Sequence, residues 1–553
     1  MPTIKFALED LNKLVGRKLT STEVEHLVEY GKGELKDYSS ETDEMQVNFD
    51  DTNLPYLWSV EGFARLVRGA LVVETGLPKL NLVKSDYKVV VNKSVKTIRP
   101  YISAIGVRGK PIDDYFLKQI IQLQEKFCDS YGVKRKKVAL GVYSLSKIKF
   151  PVFYKAVEPE SVEFEPLGFK RKMTPGEILE MHPAGQLYAH LLKHVDKFPL
   201  LVDDNNEVLS FPPVINSNHS GKIEVGETEL FVEATGDDAD AVNLAINIFA
   251  QAFSDRGYEI YPVEIEYDDH TVKCPYNPNE KIKLKGTQVT ELLGLELNDN
   301  AIKKLLEKGR YGYNDGTVAV PMYRQDIMHW VDIVEDIAIM YGFNEIPVEE
   351  LTHMTIGSTS PQIVLNDKMR DFLIGFGYQE VLNAMLSNKD TMFTKMEMAP
   401  YSLLEIKDYM SESYSVVRNS LIPVLMEVLS KNKHNEYPQR VFEQGLVSLN
   451  LKTHAVDQDR IAAASTHSEA SYTEMKQVFE GVMRSLDLTE LEYHETEHSS
   501  FIAGRVAKIV VKGRELGIIG EIAPKVITNW GLDTPVVAFE LNLTELNGLV
   551  GKR

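Results

Sequence analysis

The spacing of apolar residues constrains this chain more than any other feature. Short strand-like runs alternate with helical stripes along all 553 residues, and no run approaches the roughly 18 apolar residues of a membrane span. At about 150 residues per domain, such a chain reads as three or four domains rather than one core. Its 43% hydrophobic and 26% charged residues are ordinary for a globular protein, so no long segment has to be disordered.

Charge and cysteine usage narrow the function. With 61 basic and 81 acidic residues the formal charge is −20, which argues against a surface that clings as a whole to nucleic acid. Any RNA contact is expected at a local patch. The two cysteines, Cys128 and Cys274, are too few for a disulfide framework or a Cys-rich zinc site, and they favour a reducing compartment. The opening MPTIKFALEDLNKLVG lacks a basic stretch followed by a long apolar run. A cytoplasmic protein without a membrane segment is expected.

Local patterns sketch the elements. In DTNLPYLWSVEGFARLVRGAL, Pro55 precedes a helix that carries Leu57, Val60, Ala64 and Val67 on one face. From residue 99 to about 265, apolar strands broken by turns surround a helix at FLKQIIQLQEKFC. Without a Rossmann or phosphate-loop glycine pattern, this alternation reads as α+β. ELLGLELNDNAIKKLLEKG predicts a short element, a turn, and a helix starting after Asn298 or Asp299. MTIGSTSPQ reads as a linker. Beyond it, NDKMRDFLIGFGYQE predicts a helix with Met369, Phe372, Leu373 and Phe376 on its apolar face, and RVFEQGLVSLN and GRVAKIVVKGRELGIIGEI predict an antiparallel sheet.

Three stretches carry candidate chemistry. In YRQDIMHWVDIVEDIAIMYGFNEIP, residues 323 to 347, the positions Ile327, Val331, Val334, Ala338 and Tyr341 predict a buried helical stripe with the acids off the core. Asp332, Glu335 and Asp336 then share one neighbouring face, while Asp326 stands where the helix is expected to begin. First-turn acids and an N-cap explain such a cluster. So does a hard-cation site, because no Lys or Arg lies between the acids and Mg²⁺ takes oxygen ligands.

His182, His190 and His194 include an i, i+4 pair, but the residues between are Leu191, Leu192 and Lys193, so the glutamate of the metalloprotease pattern is missing. Hydrogen-bonded histidines are the better reading. In residues 200 to 238, Ser210, Asn216, Ser217, Glu233 and Thr235 stand near strand ends and turns, where they either line a pocket or serve turn chemistry and strand pairing.

Four phrases in this order resemble the β subunit of phenylalanyl-tRNA synthetase, of the archaeal and eukaryotic cytosolic type: DTNLPYLWSVEGFARLVRG, LSFPPVINS with LFVEATGDD, VPMYRQDIMHWVDIVEDIAIMYGFNEIP, and SYSVVRNSLIPVLMEVLSKNKHN with RVFEQGLV. The resemblance implies an α+β multidomain chain: a B1-like domain over 1–98, a B3/B4-like editing domain over 99–267, a B5-like winged-helix-type domain over 268–346, and an inactive class II synthetase core over 355–553. It implies an α2β2 partnership with the alpha subunit, which carries the site joining phenylalanine to tRNA(Phe) with ATP. RVFEQG matches the second class II motif in outline only, through Arg440 and Glu443, and GRVAKIVV lacks the residues that grip ATP, so no aminoacylation residue is expected here.

The same resemblance implies hydrolytic editing of Tyr-tRNA(Phe) at Leu201, Ser210, Glu233 and Thr235, with Glu233 accepting a hydrogen bond from the tyrosine hydroxyl or orienting water. It also implies Mg²⁺ bound by Asp326, Asp332, Glu335 and Asp336, at a site shared with the alpha subunit. A standalone deacylase of mischarged tRNA and a non-enzymatic RNA-binding scaffold are the alternatives, and both differ in lacking a stoichiometric partner.

Overall fold

The computed structural model describes residues 2–49, 53–278 and 280–550, and the chain divides into two compact units, 1–350 and 351–553. Both mix helices with sheets, so the α+β class holds. Among the described residues, no helix is long and apolar enough to cross a membrane.

In the first unit, strand Glu44–Phe49 is the centre of a three-stranded antiparallel sheet between Thr3–Ala7 and Gly33–Ser39. Helix Val60–Ala70 packs against it, with Val60, Ala64 and Val67 buried as expected and Ser59 capping its first turn; Leu57, expected on the same helical face, is buried but lies in the separate turn Pro55–Leu57 that precedes the cap.

A ten-stranded sheet forms the body of this unit. Its strands run in the order Ile215–Asn216, Val208–Phe211, Phe198–Val202, Val152–Val157, Tyr87–Val91, Glu259–Glu266, Tyr101–Arg108, Glu229–Gly236 and Val138–Ser144, with Thr271–Cys274 paired to the side of Glu259–Glu266. Strand Glu229–Gly236 alternates strictly. Leu230, Val232 and Ala234 join the core beneath helices Asp114–Asp129 and Ala239–Asp255, while Phe231 faces the opposite cluster with Tyr143, Tyr154, Leu201 and Leu209. Because side chains repeat every second residue, Glu233 and Thr235 share the face of Phe231.

The rest of the unit is a small three-stranded sheet, Lys281–Lys283, Thr317–Ala319 and Gly312–Asn314, with helices Gly286–Leu293, Asp299–Lys308 and Trp330–Tyr341. Asn298 caps the second of these by accepting from the Ala301 N–H at 2.9 Å. The third starts later than the sequence suggests. Its N-cap is His329, so Asp326 precedes the helix, and the buried positions are Ile333, Val334, Ile337, Ala338, Ile339 and Met340, whereas Val331 is 38% exposed. The apolar residues on this segment are dense enough to support two registers of a stripe, and packing selects the second.

The second unit is a seven-stranded sheet in the order Gln379–Glu380, Gln439–Asn450, Ala455–Thr466, Val536–Asn542, Arg514–Ile522, Phe501–Val511 and Leu491–Glu495, antiparallel except at its first pair. Helix Pro361–Gly375 covers one face through Leu365, Met369 and Leu373. Phe376 falls after the last helical residue and is 42% exposed, so it leaves the expected stripe.

Candidate functional site

Strand geometry brings three of the four residues expected for editing to one buried place. Leu201 is paired with Ser210 across neighbouring strands and shares a core cluster with Tyr143 and Phe231. Tyr143 is the hub: its hydroxyl donates to Glu233 Oε1 at 2.8 Å and lies 3.3 Å from Asn216 Oδ1. Ser210 lies beside the same phenol, near enough to influence it but short of hydrogen-bond geometry, and its Oγ is buried without a partner. Glu233 Oε2 is likewise buried and unpartnered. Polar atoms left this way in a packed interior are costly unless a ligand or water satisfies them.

Burial pushes the Glu233 carboxyl up to about 7, against the opposing pull of the Tyr143 hydrogen bond and of Arg99. Gly141 makes room for this arrangement. It is paired opposite Glu233, and a Cβ there would stand 2.1 Å from the Tyr143 hydroxyl and 2.6 Å from Glu233 Oε1. Thr235, the fourth expected residue, is engaged differently: Arg99 Nε donates to its Oγ1 at 3.0 Å, and the same guanidinium reaches the Thr235 and Lys136 carbonyls. On its outer side, Asn216 lines a cavity of about 290 Å³ with Gln124, Val142, Leu167 and Lys222. Ser217 turns away to a 3.2 Å contact with Ser220.

The sequence reading missed Tyr143, Gly141 and Arg99. VALGVYS reads as an apolar core strand, and nothing local ties Tyr143 to a carboxylate 90 positions away in the chain.

The acidic segment is organised around a residue that the helix pattern left out. Arg324 is buried; its Nε and one terminal nitrogen bind Asp326 at 2.7 and 2.5 Å, and its other terminal nitrogen binds Asp336 at 2.9 Å. The Tyr311 hydroxyl also donates to Asp336. Lys32 pairs with Glu335 at 2.9 Å. Asp332 is the capping acid, its Oδ2 accepting from the Met328 and His329 N–H groups at 2.8 Å each. The expectation that no cation relieves the acids is therefore corrected, because Arg324 and Lys32 arrive from outside the helix. Asp326 and Asp336 are also drawn toward the core rather than lying off it, with side chains 7% and 16% exposed.

This arrangement is not a closed oxygen cage, and among the described residues no three His, Cys, Asp or Glu side chains converge as a metal site. Asp332 and Glu335 each use one oxygen in the contacts above, and they fit the common Mg²⁺ arrangement of one or two carboxylates with water. Asp326 and Asp336 do not fit while Arg324 joins them.

The histidines do not cluster. His182 Nδ1 accepts from the Ala184 N–H at 3.1 Å, and His190 bonds the Leu187 carbonyl at 3.0 Å. In the second unit, Glu443 is fully buried on Arg418 at 2.6 Å and Asn383 at 2.7 Å, and Arg440 lies 3.3 Å from Glu474.

Comparison with known proteins identifies the family. Residues 282–343 match the family model for the tRNA synthetase B5 domain, and residues 346–543 match that of the phenylalanyl tRNA synthetase beta chain CLM domain. The phenylalanine–tRNA ligase beta subunit of Pyrococcus horikoshii is 41% identical over 555 residues, covering 99% of this chain and 100% of its own. That of Archaeoglobus fulgidus is 40% identical, covering 91% and 92%. The crystal structure of an N-terminal fragment of the P. horikoshii phenylalanyl-tRNA synthetase beta subunit is matched with TM-score 0.60 and 40% identity, over 62% of this chain and all of the fragment. With relatives alike over nearly its full length, the chain belongs to the phenylalanine–tRNA ligase beta-subunit family, a component of a ligase of protein biosynthesis.

Proposed function

We propose that the chain works in the cytoplasm as the β subunit of an α2β2 ligase, in which the alpha subunit joins phenylalanine to tRNA(Phe) with ATP, and that its own Glu233 pocket hydrolyses Tyr-tRNA(Phe). The observation that carries the editing reading is the pair of buried, unpartnered atoms, Glu233 Oε2 and Ser210 Oγ, beside Tyr143. Tyr143 occupies Oε1, which leaves Oε2 as the acceptor for a tyrosine hydroxyl. A phenylalanyl group leaves that acceptor unpaired. A site built to hydrogen-bond a hydroxyl rejects the analogue without it far more strongly than an apolar pocket rejects an added hydroxyl.

Ser210 and Leu201 border the substrate in this reading, Thr235 acts through the Arg99 guanidinium that it anchors, and the cavity at Asn216 is the approach. The domains are read as 1–98, 99–267, 268–346 and 355–553, except that Tyr87–Val91 pairs on both sides with strands of the large sheet, Glu259–Glu266 and Val152–Val157, so the editing module begins before residue 99. Replacing Glu233 and Thr235 together with Ala, in the chain assembled with its alpha subunit, is expected to leave phenylalanine charging nearly intact while Tyr-tRNA(Phe) accumulates. Unchanged hydrolysis of Tyr-tRNA(Phe) removes these residues from the site.

We further infer a Mg²⁺ site at Asp326, Asp332, Glu335 and Asp336. Asp332 and Glu335 would hold the ion, with Asp326 and Asp336 as ligands only if freed from Arg324, and the cation would supply charge neutralisation of the acidic face for docking. The test replaces Asp332 with Asn and Glu335 with Gln and measures bound Mg²⁺ and assembly with the alpha subunit; equal metal content in both proteins overturns the assignment.

A further inference from the structure

A pocket of about 660 Å³ opens on the seven-stranded sheet of the second unit, between the strands of Arg460, Glu540 and Lys508 and the segments before helix Ile422–Lys431. Its size is that of a small-molecule site. Its cations are already neutralised. Arg460 binds Glu540 at 2.7 Å and Lys508 binds Glu515 at 2.9 Å. The other oxygen of Glu540 is also used, accepting from the Ser420 hydroxyl at 2.6 Å and from the Leu421 and Ile422 N–H groups at 2.8 and 3.1 Å at the start of that helix.

One buried acceptor among the lining residues has no partner. Asn419 lines the pocket and is 5% exposed; its Nδ2 contacts the Tyr401 hydroxyl, and its Oδ1 is buried without a partner. Glu497 lines the same pocket and enters no ion pair among the described residues. His498 adds no opposing charge, because burial lowers its affinity for a proton. Met392, Met396 and Met398 supply the apolar wall, with flexible, polarisable side chains that adapt to an alkyl or aryl body.

We propose that this pocket binds a small primary amine with an apolar body, its ammonium answering the Asn419 Oδ1 and the Glu497 carboxylate and its body resting on the three methionines. A buried orphan acceptor gains most from a charged donor, and a neutral alcohol satisfies it less strongly.

The test uses the full chain and three probes of one shape, n-hexylamine, hexanol and hexanoate, with binding followed by calorimetry or ligand-observed NMR. Hexylamine is expected to bind about tenfold tighter than hexanol, the difference between a charge-assisted and a neutral hydrogen bond, and hexanoate weakest. Glu497→Gln should weaken hexylamine severalfold and leave hexanol unchanged, and Asn419→Leu should reduce the preference for the amine severalfold. If Asn419→Leu does not fold, Glu497→Gln, at an exposed position, decides alone. Equal or tighter binding of hexanol or hexanoate, or hexylamine binding indifferent to Glu497→Gln, overturns the proposal.

Discussion

The Tyr143 hydroxyl donates a 2.8 Å hydrogen bond to Glu233 Oε1, with both side chains buried. One carboxylate oxygen is thereby fixed and the other left open, which turns a core strand into a recognition surface for a hydroxyl.

Removing that bond should change the acidity of Glu233. The Tyr143 hydrogen bond lowers the Glu233 pKa, so Tyr143→Phe should raise it further. The pH profile of Tyr-tRNA(Phe) hydrolysis is expected to move to higher pH, with phenylalanine charging unaltered. A profile that keeps its position while falling in height would mean that Tyr143 only packs.

Stability should respond to the same carboxyl. Its folded pKa of about 7 lies above the ordinary carboxyl value of 4.5, so the native state binds the extra proton between these values. Stability of the first unit then falls as pH rises from about 4.5 to 7, by on the order of 3 kcal/mol, and is level above. Glu233→Gln should flatten this segment of the curve; denaturant unfolding of the variant and the native chain at pH 5 and pH 8 checks it.

Gly141→Ala places a methyl 2.1 Å from the Tyr143 hydroxyl and 2.6 Å from Glu233 Oε1. Overpacking of this kind costs about 1–3 kcal/mol. Editing should drop with it, because the strand must shift where the two groups meet. Comparing hydrolysis of Tyr-tRNA(Phe) with unfolding midpoints measures both effects.

Arg324→Met should leave Asp326 and Asp336 facing each other without their shared cation. Breaking a buried pair by removing one partner costs about 3–5 kcal/mol. Added Mg²⁺ is expected to restore more stability to this variant than to the native chain, since all four acids then become available to it. Thermal unfolding with and without chelator reads the difference, and an equal response in both proteins would place the ion elsewhere.

In the second unit, Arg418→Leu strands Glu443, a fully buried carboxylate whose only ion-pair partner among the described residues is 2.6 Å away. A loss of about 3–5 kcal/mol is expected, measured as a lower denaturant midpoint for that unit.

The sequence by itself determined which segments become helices and strands, since periodicity, caps and turns act over a few residues: the helix after Asn298 starts where it was expected to, and Val60, Ala64 and Val67 are buried as their spacing requires. It also placed Glu233 and Thr235 on one face of a strand, because side chains there alternate. Only the tertiary structure decided what those groups meet. Tyr143 reaches Glu233 from 90 positions away, and Lys32 reaches Glu335 from 303. The face buried by helix Trp330–Tyr341 was settled in the same way, by what packs against it rather than by its own stripe, and Arg324, outside that helix, decided which of the four acids are drawn inward. Local spacing sets the direction of a side chain, whereas strand order and packing choose its partner, and the chemistry of these sites lies in the partners.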